Sequence, residues 1–566
     1  MLFGRRKRKT FFHEINPDEV LLDSRNSPNF NPHQLEGRIE KPIAKRSITL
    51  IALTGLIVVG IIVSKLWSLQ IVQGAYYRER SENISFNSVP VFADRGVVYD
   101  RNGKELIWNV PSPDNESYSH RAYIKDAGFS HVLGYVSYPS KDTSGVFWST
   151  EFIGKDGIEK EYNDRLKGTN GTELIEIDVH GEVKSKNLST QPIPGENLYT
   201  TIDADVQAAL NRSLTSLLQT GGYTGGAGIV MDIKTGELIA LTNAPEYDSA
   251  ILSDGSDTAT IHNYMTDSRR VFLDRSVSGL YTPGSIVKPF VAIGALMENV
   301  ITPQKQILST GSISLPNPYN PKLTSVFKDW KAHGWVDMRT AIAVSSDVYF
   351  YEVGGGFHDQ KGIGISGIDK YNKLFGVGGG KTGIDLSGEV EGNIPTPDWK
   401  AKVFKGDPWR IGDTYHTAIG QYGFQVTPIQ MVRAVAAIAN GGTLVTPHLL
   451  KDDTTMEVTA KPVDATIPAD YYTIVREGMR KAVTDGTVTQ VNFPYVNIAA
   501  KSGTAQLGAN KDRINSWIIG FFPYENPKYA FTVLAESAPN NKTPGAVYAF
   551  RDTIDWMHIN TPQYFQ

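Results

Sequence analysis

The chain has 566 residues, no cysteine and a formal net charge of −4, with 40% hydrophobic and 20% charged residues. At roughly 100–200 residues per domain, that length predicts a folded protein of two to four domains. The lack of cysteine excludes thiol catalysis, disulfides and cysteine-ligated metals, and the slightly acidic balance argues against a nucleic-acid partner.

Residues 1–46 are polar and basic, with Arg5, Arg6, Lys7, Arg8 and Lys9 in one cluster and Lys45 and Arg46 in another. The stretch between Asn16 and Glu40, rich in Asn, Pro and Asp, predicts a largely disordered tail. From Ser47 to Ser64 no residue is charged, and Leu66 and Trp67 extend the apolar run. As a helix this run spans about 27 Å, the thickness of a bilayer core, so 47–66 is expected to cross a membrane. A cleaved signal is disfavoured, because Trp67, Leu69, Tyr76 and Tyr77 stand where a small-residue cleavage site belongs. The basic flank keeps the N-terminus inside and places the remainder outside.

Residues 67–220 predict a mixed, mostly extended domain. Gly96 to Tyr99 is rich in strand formers and leads into the hairpin signal Arg101-Asn-Gly-Lys104. Leu198 to Asp203 predicts a strand, and Asp205 to Leu218 a helix with Val206, Leu210, Leu214 and Leu217 on one face. No catalytic set is visible there, and the expected role is a structural pedestal.

From residue 221 to about 560 the texture is that of an α+β domain. Gly228–Ile233 and Glu237–Thr242 predict two strands around the turn Lys234-Thr-Gly236. Thr427 to Asn440 predicts a helix, and Val496 to Ala500 a strand running into Lys501. Ser516–Phe522 and Tyr529–Glu536 predict a closing hairpin. Strands at both ends with helices between them imply an antiparallel sheet flanked by helices. Tyr281 to Phe290 stands out: Pro283-Gly284 is a turn signal, Ser285 opens an apolar run to Met297, and Lys288 lies one turn further on. A hydroxyl at a helix start with an amine one turn away is a nucleophile beside a base. Ser-x-x-Lys alone is weak, since it recurs at Ser325–Lys328. Two more elements follow in order, Ser345-x-Asp347 and Lys501-Ser502-Gly503. Lys234-Thr-Gly236 and Lys381-Thr-Gly383 are decoys: one precedes the nucleophile, and the other has no strand before it. The ordered set in matching contexts is the signature of penicillin-binding proteins and class A β-lactamases.

The wider sequence resembles class B penicillin-binding proteins, in particular those of the elongation type. The carrying stretches are Arg95–Gly103, Gly157-Ile-Glu-Lys-Glu-Tyr162, Tyr281–Phe290, Ser345–Tyr351, Thr382–Leu386, Asp398-Trp-Lys400, Trp409–Thr414, Ile419-Gly-Gln421 and Val426–Met431. Asp347, where division-type relatives usually carry Asn, and the Trp409 stretch favour the elongation type. Three departures stand out: a short segment between Asn109 and Phe129 where relatives insert a larger head, Tyr422 in place of Gly, and Ser346 in the second motif. Some relatives hold a metal there through a Cys. With Ser346 at that position Asp329 and His333 are not expected to be ligands, and neither metal nor cofactor is expected.

The resemblance implies a peptidoglycan D,D-transpeptidase in the bacterial cell membrane, with its catalytic domain outside the cytoplasm. Such an enzyme cross-links stem peptides during wall elongation and binds β-lactams covalently. Ser285 is then the nucleophile and Lys288 its base, kept neutral by burial and the charge of Lys501. Ser345 relays a proton, and Asp347 orders the site. Lys501, Ser502, Gly503 and Thr504 form the strand that holds the substrate carboxylate, and the N–H groups of Ser285 and Thr504 form an oxyanion hole. A membrane glycosyltransferase of the SEDS type and other elongation proteins are the implied partners. A D,D-carboxypeptidase, a β-lactam hydrolase, a division-type enzyme and a non-catalytic scaffold are the alternatives.

Arg keeps the charge and approximate length of Lys288 but cannot shed its proton. Lys288→Arg is therefore expected to fold normally and to acylate with penicillin about a hundredfold more slowly, the scale of lost acid–base catalysis. Stopped-flow acylation checks this, and a near-wild-type rate would eliminate Lys288 as the base.

Overall fold

The structure is a computed structural model that describes residues 45–78, 86–112, 117–177, 183–317, 320–451, 459–541 and 543–566. Nearly all of the expected basic tail, 1–46, lies outside the described residues. The chain falls into two compact units, 1–87 with 176–182, and 88–175 with 183–566.

In the first unit, helix α1 (Lys45–Trp67) continues through a π-helical turn, Ser68–Val72. Among the described residues Lys45–Val72 is the one helix long and apolar enough to cross a membrane. No side chain of α1 is buried, and Leu50, Ile51, Leu56 and Ile61 expose 64–72% of their surface. A helix apolar all round, with nothing packed on it, matches lipid as its solvent.

The second unit begins with a four-stranded sheet of β1 (Val98–Tyr99), β2 (Glu105–Val110), β3 (His120–Tyr123) and β4 (Leu198–Tyr199), ordered β4-β1-β2-β3. The strand expected over Leu198–Asp203 stops after two residues. Asp203 instead caps helix α2 (Ala204–Gly221), its carboxylate accepting from the N–H groups of Asp205 and Val206. Two of the stretches that carry the resemblance meet here. Glu159 accepts from Arg95 Nε at 2.6 Å and from Arg121 Nε at 2.8 Å, with all three side chains at most 1% exposed.

After α2 come β5 (Gly225–Asp232) and β6 (Leu238–Ala244), joined by the Lys234-Thr-Gly236 turn. A 3₁₀ turn, Gly284–Val287, leads into α3 (Lys288–Met297). Next are the hairpin β7 (Ser312–Asn317) and β8 (Asn320–Lys328), α4 (Met338–Val344) and α5 (Asp347–Gly355). Helices α6 (Pro428–Ala439) and α7 (Ala469–Asp485) precede β9 (Ala499–Leu507), β10 (Arg513–Phe522), β11 (Tyr529–Pro539) and α8 (Ala546–Asn560). Five strands form one antiparallel sheet, ordered β6-β5-β11-β10-β9, so β9 is an edge.

Both faces of this sheet are covered, and residues alternate between two cores. Val230, Ile518, Phe522, Phe531 and Val533 pack with Leu210 and Leu214 of α2 and Phe550 and Ile554 of α8. Ile229, Met231, Ile519, Phe521 and Leu534 pack on the other side with Val432 and Val435 of α6. The two-residue period of a strand assigns each neighbour to the opposite face. The expected antiparallel sheet flanked by helices is thus what forms.

Glu159→Gln leaves two fully buried guanidinium groups short of their shared carboxylate. Breaking a buried ion pair by removing one partner costs about 3–5 kcal/mol. The variant is expected to lose stability on that scale, read as a lower midpoint in chemical unfolding followed by a probe in the 88–175 segment.

Candidate active site

The turn that carries Ser285 is held on three sides. Tyr281 exchanges backbone hydrogen bonds with Val426 at 2.9 and 3.0 Å, the indole of Trp517 donates to Thr282 O at 3.0 Å, and Gly284 N donates to Gly420 O at 2.9 Å. Gly284 takes φ +60°, and a methyl group there would fall 2.8 Å from Thr504 O; one at Gly503 would fall 2.7 Å from Pro283 O. Only two glycines let the turn lie directly against edge strand β9. Ser285 lies in the 3₁₀ turn, and the α-helix starts at Lys288 rather than at Ser285. With three residues per turn, that geometry stacks Lys288 directly over Ser285. Ser285 is half-buried, and its hydroxyl has no hydrogen-bond partner among the described residues.

Ser345 ends α4 in the left-handed region, φ +59° and ψ +40°. For a residue with a Cβ this costs about 1–2 kcal/mol. It turns the chain sharply, so that Asp347 opens α5 two residues later. The side chains of the three motifs then converge. Lys288 Nζ donates to Asp347 Oδ1 at 2.6 Å, to Ser345 O at 2.7 Å and to Ser345 Oγ at 3.3 Å. Lys501 Nζ donates to the same Ser345 Oγ at 2.8 Å and to Ser502 O at 2.8 Å. Both lysine side chains are fully buried, and Asp347 is 19% exposed. Burial first, and the charge of Lys288 second, push the Lys501 pKa well below its usual 10.5, with Asp347 opposing.

The Asp347 carboxylate lies on Lys288. The depressed amine is Lys501. On β9, Lys501 and Gly503 face inward, while Ser502 is half-buried and Thr504 exposed. The free edge offers backbone N–H and C=O groups beside the nucleophile. The decoys stay elsewhere: Ser325 and Lys328 lie on β8, and Thr382 and Gly383 bind the carboxylate of Glu389.

Three residues that the sequence reading gave no role also touch the motifs. Thr487 Oγ1 lies 2.8 Å from Ser502 Oγ, Trp330 Nε1 donates to Val344 O at 3.2 Å, and Asp329 Oδ2 accepts from Ser346 Oγ at 2.9 Å and Val348 N at 3.0 Å. Although burial opposes its ionisation, the Val348 N–H and the charge of Lys288 hold the Asp329 carboxyl below its usual range. None of the three has a local signal, since each contact joins segments distant in sequence.

Residues 226–554 match the family described as the penicillin binding protein transpeptidase domain, and residues 114–200 match the penicillin-binding protein dimerisation domain. The chain is similar to peptidoglycan D,D-transpeptidase MrdA of Haemophilus influenzae, with 29% identity over 95% of each chain. Among solved structures it is similar to penicillin-binding protein 2 of Pseudomonas aeruginosa in complex with WCK 5153, with TM-score 0.67, 29% identity, and 83% and 97% of the two chains covered. It is also similar to penicillin-binding protein 2 of Helicobacter pylori in complex with MreC, with TM-score 0.69, 26% identity, and 84% and 99% covered.

A lysine whose pKa is lowered by folding binds fewer protons in the folded than in the unfolded state. Stability then rises with pH between the folded value and the usual 10.5, and the penalty is full below the folded value. Lys501→Met removes that penalty. The variant is expected to lose acylation yet melt at a higher temperature than wild type near pH 7, with the gain shrinking toward pH 10. Thermal unfolding at several pH values checks it.

Proposed function

The chain belongs to the penicillin-binding protein transpeptidase family, and on that premise we propose that it is a membrane-anchored peptidoglycan D,D-transpeptidase of wall elongation, acting through a serine acyl-enzyme. The observation that carries the reading is the convergence of two lysine amines from separate segments on one hydroxyl, Ser345 Oγ, beside the turn of Ser285.

Ser285 Oγ attacks the carbonyl between the two terminal D-Ala residues of a stem peptide. Its proton goes to Lys288. The step requires Lys288 as a neutral amine, and Lys501 on the other side of Ser345 Oγ, its pKa depressed by burial, makes little competing claim on that proton. As the tetrahedral intermediate collapses, Ser345 gives a proton to the leaving D-Ala amine and is resupplied from the lysine pair. The oxyanion is held by the N–H groups of Ser285 and Thr504. The extended peptide lies along the free edge of β9, with its carboxylate near Lys501, Ser502 and Thr504. An amine of a second stem peptide then attacks the acyl-enzyme, the proton path runs in reverse, and a cross-link forms. Asp347 anchors Lys288 through these proton movements, and Gly503 keeps β9 close to the nucleophile.

The reading divides the chain into a cytoplasmic tail (1–46), a membrane span (47–66), a pedestal with a reduced head (67–220) and a transpeptidase domain (221–560) that faces away from the cytoplasm. A SEDS-type glycosyltransferase and a protein of the MreC kind are the fitting partners: the chain carries no glycan-polymerising motif, and the Helicobacter pylori relative forms such a complex with MreC.

Incubating the full-length protein in detergent with penicillin is expected to add one drug mass at Ser285, released slowly. Intact-mass and peptide mapping check it. An adduct elsewhere, or undiminished labelling of Ser285→Ala, would overturn the assignment.

A further inference from the structure

Ser345 sits in a backbone conformation that its own side chain does not favour, between two residues gripped from outside. On the N-terminal side, the indole N–H of Trp330 donates to the carbonyl of Val344 at 3.2 Å. On the C-terminal side, the carboxylate of Asp329 accepts from Ser346 Oγ at 2.9 Å and from Val348 N at 3.0 Å. Ser309 Oγ adds a third bond to the same oxygen at 3.2 Å. Asp329 and Trp330 are adjacent in sequence, and their loop is fixed independently of the site. Asp329 N donates to Gly311 O at 2.9 Å, His333 N to Ser309 O at 3.0 Å, and Tyr351 Oη to Lys328 O at 3.1 Å.

We propose that Asp329 and Trp330 are positioning residues for the acyl-transfer reaction, a two-residue clamp that holds Ser345 in its left-handed conformation from both sides and so aims its hydroxyl at the two lysine amines. The proposal rests on the transpeptidase reading above. A peptide flip at Val344–Ser345, or a relaxed turn at Ser346, would swing Ser345 Oγ away from Lys288 and Lys501, and the clamp resists both. Hydrogen bonds into a low-dielectric site hold geometry well when every partner is satisfied, and Asp329 Oδ2 has three donors.

The same corner is where some members of the family hold a metal, and the residues present do not fit one. They are one carboxylate, one imidazole and two hydroxyls, Asp329, His333, Ser309 and Ser346, with no thiolate. The hydroxyls already hydrogen-bond Asp329 and the start of α5, which leaves His333 Nε2, without a hydrogen-bond partner and 3.4 Å from Asp329 Oδ1, as a single nitrogen beside one carboxylate. Neutral hydroxyls are not among the ligands of structural zinc, and among the described residues no group of three acidic, His or Cys side chains is placed to hold an ion. In this chain the ordering of the second motif passes to hydrogen bonds.

The test uses the full-length protein in detergent and its Asp329→Ala, Asp329→Asn and Trp330→Phe variants. Stopped-flow labelling with penicillin separates the affinity of the first complex from the acylation rate constant, beside thermal unfolding and metal content. The expected acylation rate constant falls about tenfold or more in Asp329→Ala, the scale of one buried partner lost, and about twofold to threefold in Trp330→Phe, whose indole bond is exposed. Initial affinity changes little, and Asp329→Asn recovers part of the rate. A merely structural role lowers the folded fraction and leaves the rate constant of the folded protein alone. Chelator treatment leaves wild type unchanged, and no stoichiometric metal is found. If Asp329→Ala does not fold, Trp330→Phe decides. Wild-type rate constants in the folded variants, or a stoichiometric metal whose removal stops acylation, overturn the clamp. A wild-type protein that never acylates overturns the transpeptidase reading and the clamp with it.

Discussion

Two buried lysine amines share one partly exposed carboxylate, and much of the surrounding structure serves that shortage of negative charge. Asp347 lies on Lys288, and Lys501 is left with a hydroxyl and a backbone carbonyl for partners. Two like charges bridged by one oxygen repel strongly in a low dielectric, and with burial this pushes the Lys501 pKa down. That makes Ser345 Oγ the natural crossing point. It also explains why the three motifs come from segments far apart in sequence. A local cluster of two lysines would relax away from itself, whereas a helix end, a helix start and a sheet edge anchored in one core cannot.

The rigid parts are chosen accordingly. The central sheet is buried on both faces, so β9 has no freedom to slip along β10. A one-residue shift would carry Lys501 to the opposite face and place Ser502 on the amine side. The turn of Ser285 is tied to Val426, Trp517 and Gly420 by backbone groups and one indole. Among the residues of the three motifs, Ser345 takes a left-handed conformation, where the direction of a hydroxyl has to be fixed and where a relaxed conformation would aim it elsewhere.

The sequence made the central sheet legible because each strand is long and apolar and is bounded by turn residues such as Lys234-Thr-Gly236. The order of the three motifs was legible for the same reason, since each sits at the end of a readable element. Two boundaries were misread by local competition. Asp203 reads as the end of a strand but serves as a helix cap, and Ser285 reads as the start of an α-helix but lies in a 3₁₀ turn. The contact between Lys288 and Asp347 was not legible at all. Lys288 and Asp347 are 59 residues apart, and no pattern says which amine the carboxylate will choose. Trp330 and Thr487 stayed silent, and Asp329 was legible only as a ligand position left without its Cys, because their partners here are backbone groups and hydroxyls brought in by the fold.

The open edge of β9 has a cost of its own. The backbone groups of a strand edge read extension and direction in a partner, and they are nearly blind to which side chains that partner carries. Any extended strand can therefore compete, including the same edge on another copy of the chain. Selection must come from the one end of the strand where charge, hydroxyls and nucleophile are gathered. A peptide that lacks a free terminal carboxylate would dock and slide off without being committed. The edge thus works as a promiscuous rail with a discriminating stop, and the enzyme's fidelity is concentrated in the last few ångströms of the track.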